Sequence, residues 1–194
     1  MKKHHVDLIS DPTIPKVDVV CLQETWLEEN SNLDTYLIPE FYGSFNSVKR
    51  GKGVATFLKD KTKVINVKHV NFQMSKIVRN DCDIISVYRS QDENHEIVQH
   101  LSELIDSDKP TIILGDINLN LLKDCHHPLI GYLKQIKFSQ HVQSPTHEQG
   151  GLIDPVYASH HFTQDDLHIV QQCVYYSDHD LIHVKIKIRE EQKP

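Results

Sequence analysis

Short apolar runs rich in β-branched residues recur along the whole chain, and their spacing predicts strands rather than helices for most of it. The predicted strands are Val17–Leu22, Val54–Leu58, Lys63–Lys68, Asp83–Tyr88, Thr111–Leu114, Ile153–Ala158, Leu167–Val174 and Leu181–Ile188. In the last of these Ile182, Val184, Ile186 and Ile188 alternate with His183, Lys185, Lys187 and Arg189, which describes one buried face and one face in water. Between Ser90 and Lys109 the period lengthens: Ile97, Leu101, Leu104 and Ile105 form a helical stripe, opened by Asp92 and Glu93 and closed before Pro110. A second helix is predicted over Pro128–Ile136. Many strands and few helices, joined by long connections, fit an α/β fold of two packed sheets flanked by helices better than a regular βαβ repeat.

No Pro/Gly/Ser-rich linker, repeat or low-complexity tract divides the 194 residues, so residues 1–194 read as one domain. No apolar run approaches the ~18 residues of a membrane span, which argues against a membrane role. The opening MKKHHVDLIS lacks the apolar stretch of a secretory signal, so a nuclear or cytoplasmic location is expected. Cys21, Cys82, Cys125 and Cys173 are widely spaced without a CxxC pair, and reduced, mostly buried thiols are expected of them. The net charge of −6 carries no global signature of a nucleic-acid binder. The local distribution does: Lys49, Arg50, Lys52, Lys59, Lys61, Lys63, Lys68, Lys76 and Arg79 are accompanied by Asp60 as the one acid, a bias suited to phosphate contacts, with Lys49, Arg50 and Lys52 as its leading residues.

Chemistry concentrates where apolar strands end. VVCLQET ends in Glu24, TIILGDINLN carries Asp116 and Asn118, GGLIDPVY carries Asp154, and YYSDHDLIHV carries Asp178 and His179. Any one of these is more often a cap or a turn than a catalyst. Carboxylates converging from separate strands would repel one another unless a hard divalent cation sits among them, which points to Mg²⁺, with Mn²⁺ as its substitute, and to metal-assisted phosphoester hydrolysis. The 14 histidines show no HExxH spacing, and most read as surface residues, His147 as a loop residue. Trp26 is expected to pack rather than to stack on a base.

Taken in order, LQET, ISVYRS, GDINLN, SPTH…GGLID and SDHD resemble the signatures of the endonuclease/exonuclease/phosphatase family, whose members include exonuclease III-like abasic endonucleases and DNase I. CLQETWL, GGLID and SDHD look closest to the endonuclease domains of mobile elements, non-LTR retrotransposons and some Helitrons. The resemblance implies the DNase I-like four-layer fold and a Mg²⁺-dependent DNA-nicking endonuclease that holds DNA through its phosphate backbone. It assigns Glu24 to the metal with Asp178 assisting, Asp154 to the orientation of His179, and His179 to the phosphate as a polarising or acid/base group. Asp116 would align or deprotonate the attacking water, while Asn118 would donate to a phosphate oxygen in the transition state and Tyr88 would supply a phenolic hydrogen bond. Two departures qualify it. Family members begin with a strand ending in Asn, so this chain is expected to start inside the domain and to lack its first strand. Pro155 stands where an aromatic residue or His is usual, and is expected to shift Asp154 against His179. A catalytically impaired remnant acting as a binding module, or a phosphatase of lipid or inositol phosphates, are the rival readings.

Overall fold

The computed structural model describes residues 3–46, 52–60, 64–70, 73–90, 96–124 and 126–187. Its strands are β1 (Val19–Leu22), β2 (Tyr42–Asn46), β3 (Val54–Leu58), β4 (Val64–Val70), β5 (Met74–Arg79), β6 (Asp83–Tyr88), β7 (Thr111–Asp116), β8 (Phe138–Gln140), β9 (Val156–Ser159), β10 (Leu167–Gln172) and β11 (Leu181–Ile186). Among the described residues three α-helices accompany them: α1 (His5–Ser10), α2 (Glu96–Leu104) and α3 (Pro128–Gln135). One sheet has six strands in the order β4-β5-β6-β7-β9-β8; a three-stranded sheet β1-β3-β2 and a two-stranded sheet β10-β11 complete the β structure. No described helix is long and apolar enough to cross a membrane.

Strand alternation sorts the layers. In β6 and β7 the side chains of Ile85, Val87 and Ile113 pack beneath Ile97, Leu101 and Leu104 of α2 and Leu129 and Leu133 of α3. The opposite parity faces the smaller sheets: Ile84 with Leu58, Val19 and Cys21, and Ile112 and Val156 with Ile169, Ile182 and Val184. On the far side of β1 and β3, Val20, Ala55 and Phe57 bury Leu8 of α1 together with Ile14, Ile38 and Phe41. The result is four layers, helix–sheet–sheet–helix, as expected. β6 and β7 run parallel through the α2 crossover, and their register pairs Tyr88 with Asp116 at the carboxyl ends. α3 begins at Pro128, and the His127 ring accepts the Leu129 N–H, so a cap and a preset φ start the helix together.

Several boundaries differ from the sequence pattern. β1 starts at Val19 rather than Val17, and β9 begins after Pro155. Pro155 therefore costs no ladder hydrogen bond. The apolar face of β11 is only half-buried, although the alternation predicted a buried one, because Leu181, Ile182 and Val184 border a cavity of about 1160 Å³. Across that cavity stand Cys21 and Leu22 of β1, with Leu114 and Val156 in its floor. Among the described residues β1 pairs with β3 alone and β11 with β10 alone, so each turns an unpaired edge outward. Ile188 and Arg189 lie outside the described residues, as do Asp92 and Glu93. Cys21 and Cys82 are unbridged and buried to differing degrees, whereas Cys173 is exposed; Cys125 is outside the described residues.

Candidate active site

The cavity narrows onto the strand ends. Ile112, Leu114 and Asp116 share one parity of β7, and Ile84, Ser86 and Tyr88 share the matching parity of β6, so Asp116 and Tyr88 both face the smaller sheets. Reaching Asp116 requires a special backbone: Gly115 has φ +126, and a Cβ there would lie 2.1 Å from the Val87 carbonyl oxygen. Only glycine satisfies that approach. Glu24 and Asn118 are themselves in the left-handed region, at φ 48 and 47, strain of the kind that gathers at functional positions.

Asp154 and His179 meet directly. His179 Nδ1 lies 3.0 and 2.9 Å from the two Asp154 oxygens, so Nδ1–H donates and Nε2 is left for the cavity. The shift expected from Pro155 does not occur: that residue is buried ahead of β9, and the carboxylate still reaches the ring. Thr146 completes the support. Its hydroxyl donates to Asp154 Oδ2 at 2.7 Å and accepts the Ile153 and Asp154 N–H groups at 3.1 Å. Burial works against a charged His179 ring, but the Asp154 hydrogen bond and charge outweigh it, raising the pKa to about 9.

Asp116, 4% exposed, is pushed up to about 7 by burial and then by the Asp154 carboxylate, with Glu24 adding to the rise. Its oxygens accept Asn118 N–H at 2.8 Å and Asn118 Nδ2–H at 3.2 Å, while the same amide donates to the Arg89 carbonyl at 2.9 Å. Arg89 is buried and ties this turn further, donating from Nη1 to the carbonyls of Ile117 and Asn118. The Asn118 amide is thus engaged in holding Asp116 rather than aimed at a phosphate. Tyr88 is 4% exposed, and its phenolic hydrogen bond goes to Glu24 Oε1 at 2.6 Å.

Glu24, Asp116, Asp154, Asp178 and His179 all line the one cavity. One donor atom from each of Asp116, Asp154 and His179 lies within 4.8 Å of the others, and one from each of His147, Asp178 and His179 forms a second such group; among the described residues Glu24 is in neither. Glu24 and Asp178, paired from sequence as metal residues, therefore belong to different local contacts, Glu24 to Tyr88 and Asp178 to His147 at 3.5 Å. The donor set is nevertheless one for a hard divalent cation. The charges of Asp154 and Glu24 push the buried Asp116 carboxyl upward, a crowding that a cation among them would relieve, and the one thiol lining the cavity among the described residues, Cys21, is pushed by burial to about 12 and stays neutral.

The basic tract is only partly free for a ligand. Lys76 is tied to Asp83 at 2.6 Å, Arg79 to Asp81 at 2.8 Å, and Lys59 donates to the Pro15 carbonyl at 2.6 Å. Lys49, Arg50, Lys61 and Lys63 lie outside the described residues, and Lys52 is half-exposed just before β3. Trp26, expected to pack, is 43% exposed on the cavity wall two residues from Glu24. Thr146, His147 and Arg89 were not singled out as site residues; the SPTH motif was the signal that could have identified the first two.

The fold has relatives among solved structures. An AP endonuclease from Archaeoglobus fulgidus superposes with a TM-score of 0.76 at 14% identity, over 96% of this chain and 95% of that one. The 3′-5′ exonuclease NExo from Neisseria meningitidis gives 0.70 at 14% identity, over 92% and 95%. A structure of 3′ phosphatase NExo from Neisseria bound to product DNA hairpin gives 0.71 at 14% identity, over 95% of each chain. These likenesses establish the DNase I-like fold. No curated protein matches the sequence significantly. A family model does match residues 2–179, nearly the whole described structure including Asp154 and His179, and by that match the chain belongs to the endonuclease/exonuclease/phosphatase family.

Proposed function

We propose that the chain is a Mg²⁺-dependent phosphodiesterase that nicks DNA, with Mn²⁺ able to replace Mg²⁺. The observation that carries this reading is the Asp154–His179 pair, whose ring turns Nε2 into the same cavity as Asp116 and Glu24. A bound divalent cation, held by Glu24 from one wall and by Asp178 from another, would neutralise charge on the phosphoryl oxygens and stabilise the leaving alkoxide as the P–O bond breaks. Every remaining task falls to the protein. His179, held cationic below its raised pKa, donates from Nε2 to a non-bridging phosphate oxygen and stabilises the charge that grows there. Asp154, itself held by Thr146, fixes the ring in that orientation. Asp116, with a pKa brought near neutrality, accepts the proton of the attacking water, and Asn118 and Arg89 keep its carboxylate in place. Tyr88 orients Glu24.

The family membership supports hydrolysis of phosphoesters. DNA is supported as substrate by the named activities of the structural relatives, one of which holds a DNA hairpin. The mobile-element assignment rests on the text of CLQETWL, GGLID and SDHD. Its basic tract, led by Lys49, Arg50 and Lys52, supports sequence-tolerant contact to the phosphate backbone, weakening steeply with salt. Affinity unchanged across a salt series, or unaffected by charge reversal at those three residues, would remove the tract from the reading.

The deciding experiment is the conversion of supercoiled plasmid to nicked circles in Mg²⁺ or Mn²⁺. The parent should nick, and His179→Ala should lower the rate by about 10³-fold or more. Undiminished nicking in His179→Ala would overturn the mechanism. A folded parent inert toward every metal and phosphodiester tried would leave the binding-module reading in its place.

A further inference from the structure

The segment Pro145–Gly151 and the segment Asp178–Asp180 form a miniature antiparallel ladder beside the site. Asp180 N–H donates to the Thr146 carbonyl at 2.8 Å and Glu148 N–H to the Asp178 carbonyl at 2.9 Å, which sets His147 and His179 opposite each other. Opposed residues of an antiparallel pair project to the same side. Their rings accordingly meet edge to face, centroids 4.7 Å apart at 88°. The loop is closed by the His147 and Thr146 N–H groups on the Gly151 carbonyl and by Gly150 N–H on the His147 carbonyl, Gly150 taking φ +79. His147 is therefore fixed at its backbone, and its side chain is only 14% exposed.

Hydrogen bonding also determines its tautomer. The Gln149 N–H reaches His147 Nδ1 at 3.1 Å, and a backbone amide can only donate. Neutral His147 then carries its proton on Nε2, which faces Asp178 Oδ2 at 3.5 Å, an N–H dipole aimed at a carboxylate at longer than ordinary hydrogen-bond range. The same logic rules against a transition-metal site at His147, Asp178 and His179, since a metal on Nε2 would require the proton on Nδ1, where the amide points.

We propose that His147 is a positioning residue: its ring walls off one side of the Asp154–His179 pair from water, and its Nε2–H restrains the otherwise exposed Asp178 carboxylate beside the phosphate site. The effect on turnover rests on the phosphodiesterase reading; the effect on the His179 proton does not. Three variants separate the parts. His147→Ala removes both ring and donor, His147→Phe keeps the ring alone, and His147→Gln keeps a donor at the Nε2 position alone.

The test joins ¹⁵N and ¹H NMR of the histidine rings with plasmid-nicking kinetics on the full chain. Neutral His147 should show the Nε2–H tautomer. Exchange of the His179 Nδ1 proton with water should quicken about tenfold in His147→Ala and return toward the parent rate in His147→Phe but not in His147→Gln. The turnover number should fall by about 10- to 100-fold in His147→Ala with little change in KM, and His147→Phe should recover most of the loss. An Nδ1–H tautomer, or exchange at the parent rate in both His147→Ala and His147→Gln, overturns the proposal. A parent that cleaves nothing refutes the phosphodiesterase reading while the exchange comparison still decides the role of His147. If His147→Ala fails to fold, His147→Gln against His147→Phe makes the same comparison.

Discussion

The six-stranded sheet and the layer facing it are built to different standards. β6 is buried at every position, and Ile85, Val87 and Ile113 lie under two helices. β1 and β11 each have one unpaired edge, half-buried apolar side chains and a large cavity between them. The site straddles this boundary. Tyr88 and Asp116 end strands of the closed sheet, Asp154 enters one, and Glu24 and His179 come from the open layer. A closed sheet can hold a carboxylate where its pKa rises toward neutrality, because buried neighbours keep water away. An open layer leaves the same carboxylates reachable from solvent through the cavity. The difference shows why preorganisation here depends on short local devices, the Thr146 hydroxyl and the 145–151 loop, on the side of the smaller sheets.

The sharpest way to break the comparison is at Gly115. Gly115→Ala would force a Cβ against the Val87 carbonyl in the closed sheet, and an unfolding free energy lower by at least ~3 kcal/mol is expected from the clash and the strained φ together. Chemical denaturation measures it, and a loss below ~1 kcal/mol would show that the sheet can yield there. Next in size is a matched pair of truncations. Ile85→Ala, in the closed sheet, should cost about 3–4 kcal/mol, and Ile182→Ala, on the cavity wall, about 1–2 kcal/mol. Equal losses would mean that the two layers are packed alike.

A smaller effect distinguishes the two sides through pH, measured as thermal stability of the metal-free protein. Asp116 has its pKa raised from 3.8 to about 7, so across that interval the folded state binds more protons than the unfolded and stability falls as pH rises. His179 is raised from 6.5 to about 9; its stabilising contribution is complete below 6.5 and is lost as pH climbs through 9. Stability should therefore decline from mildly acidic to alkaline pH. Asp116→Asn should flatten the lower part of that decline and His179→Gln the upper part. A profile that rises between pH 5 and 7 in the parent and does not respond to Asp116→Asn would contradict the burial assigned to that carboxylate.

The strands easiest to read were those whose apolar runs are unbroken. Val54–Leu58 and Asp83–Tyr88 were anticipated to the residue, since a strand buried on both faces needs no alternation. β5 was missed because Lys76 and Arg79 interrupt its pattern, and they are tolerated there only through Asp83 and Asp81. β2, with Gly43 and Ser44 in its five residues, is a strand by virtue of its pairing with β3. At the site, the acids and His179 announced themselves by standing at strand ends, whereas Arg89 and Thr146 looked like ordinary polar residues. Their importance arises from partners 28 and 8 positions away, Ile117 and Asp154.

Residue pattern alone was enough for the class of fold and the inventory of carboxylates with one histidine, because alternation and strand ends are local properties. Partnership was not local. That Tyr88 serves Glu24, and that Asp178 stands with His147 rather than Glu24, follow from distances between segments far apart in the chain. The shifts of Asp116 and His179 have the same origin: they come from burial and from charges brought close by packing, and no single segment contains either.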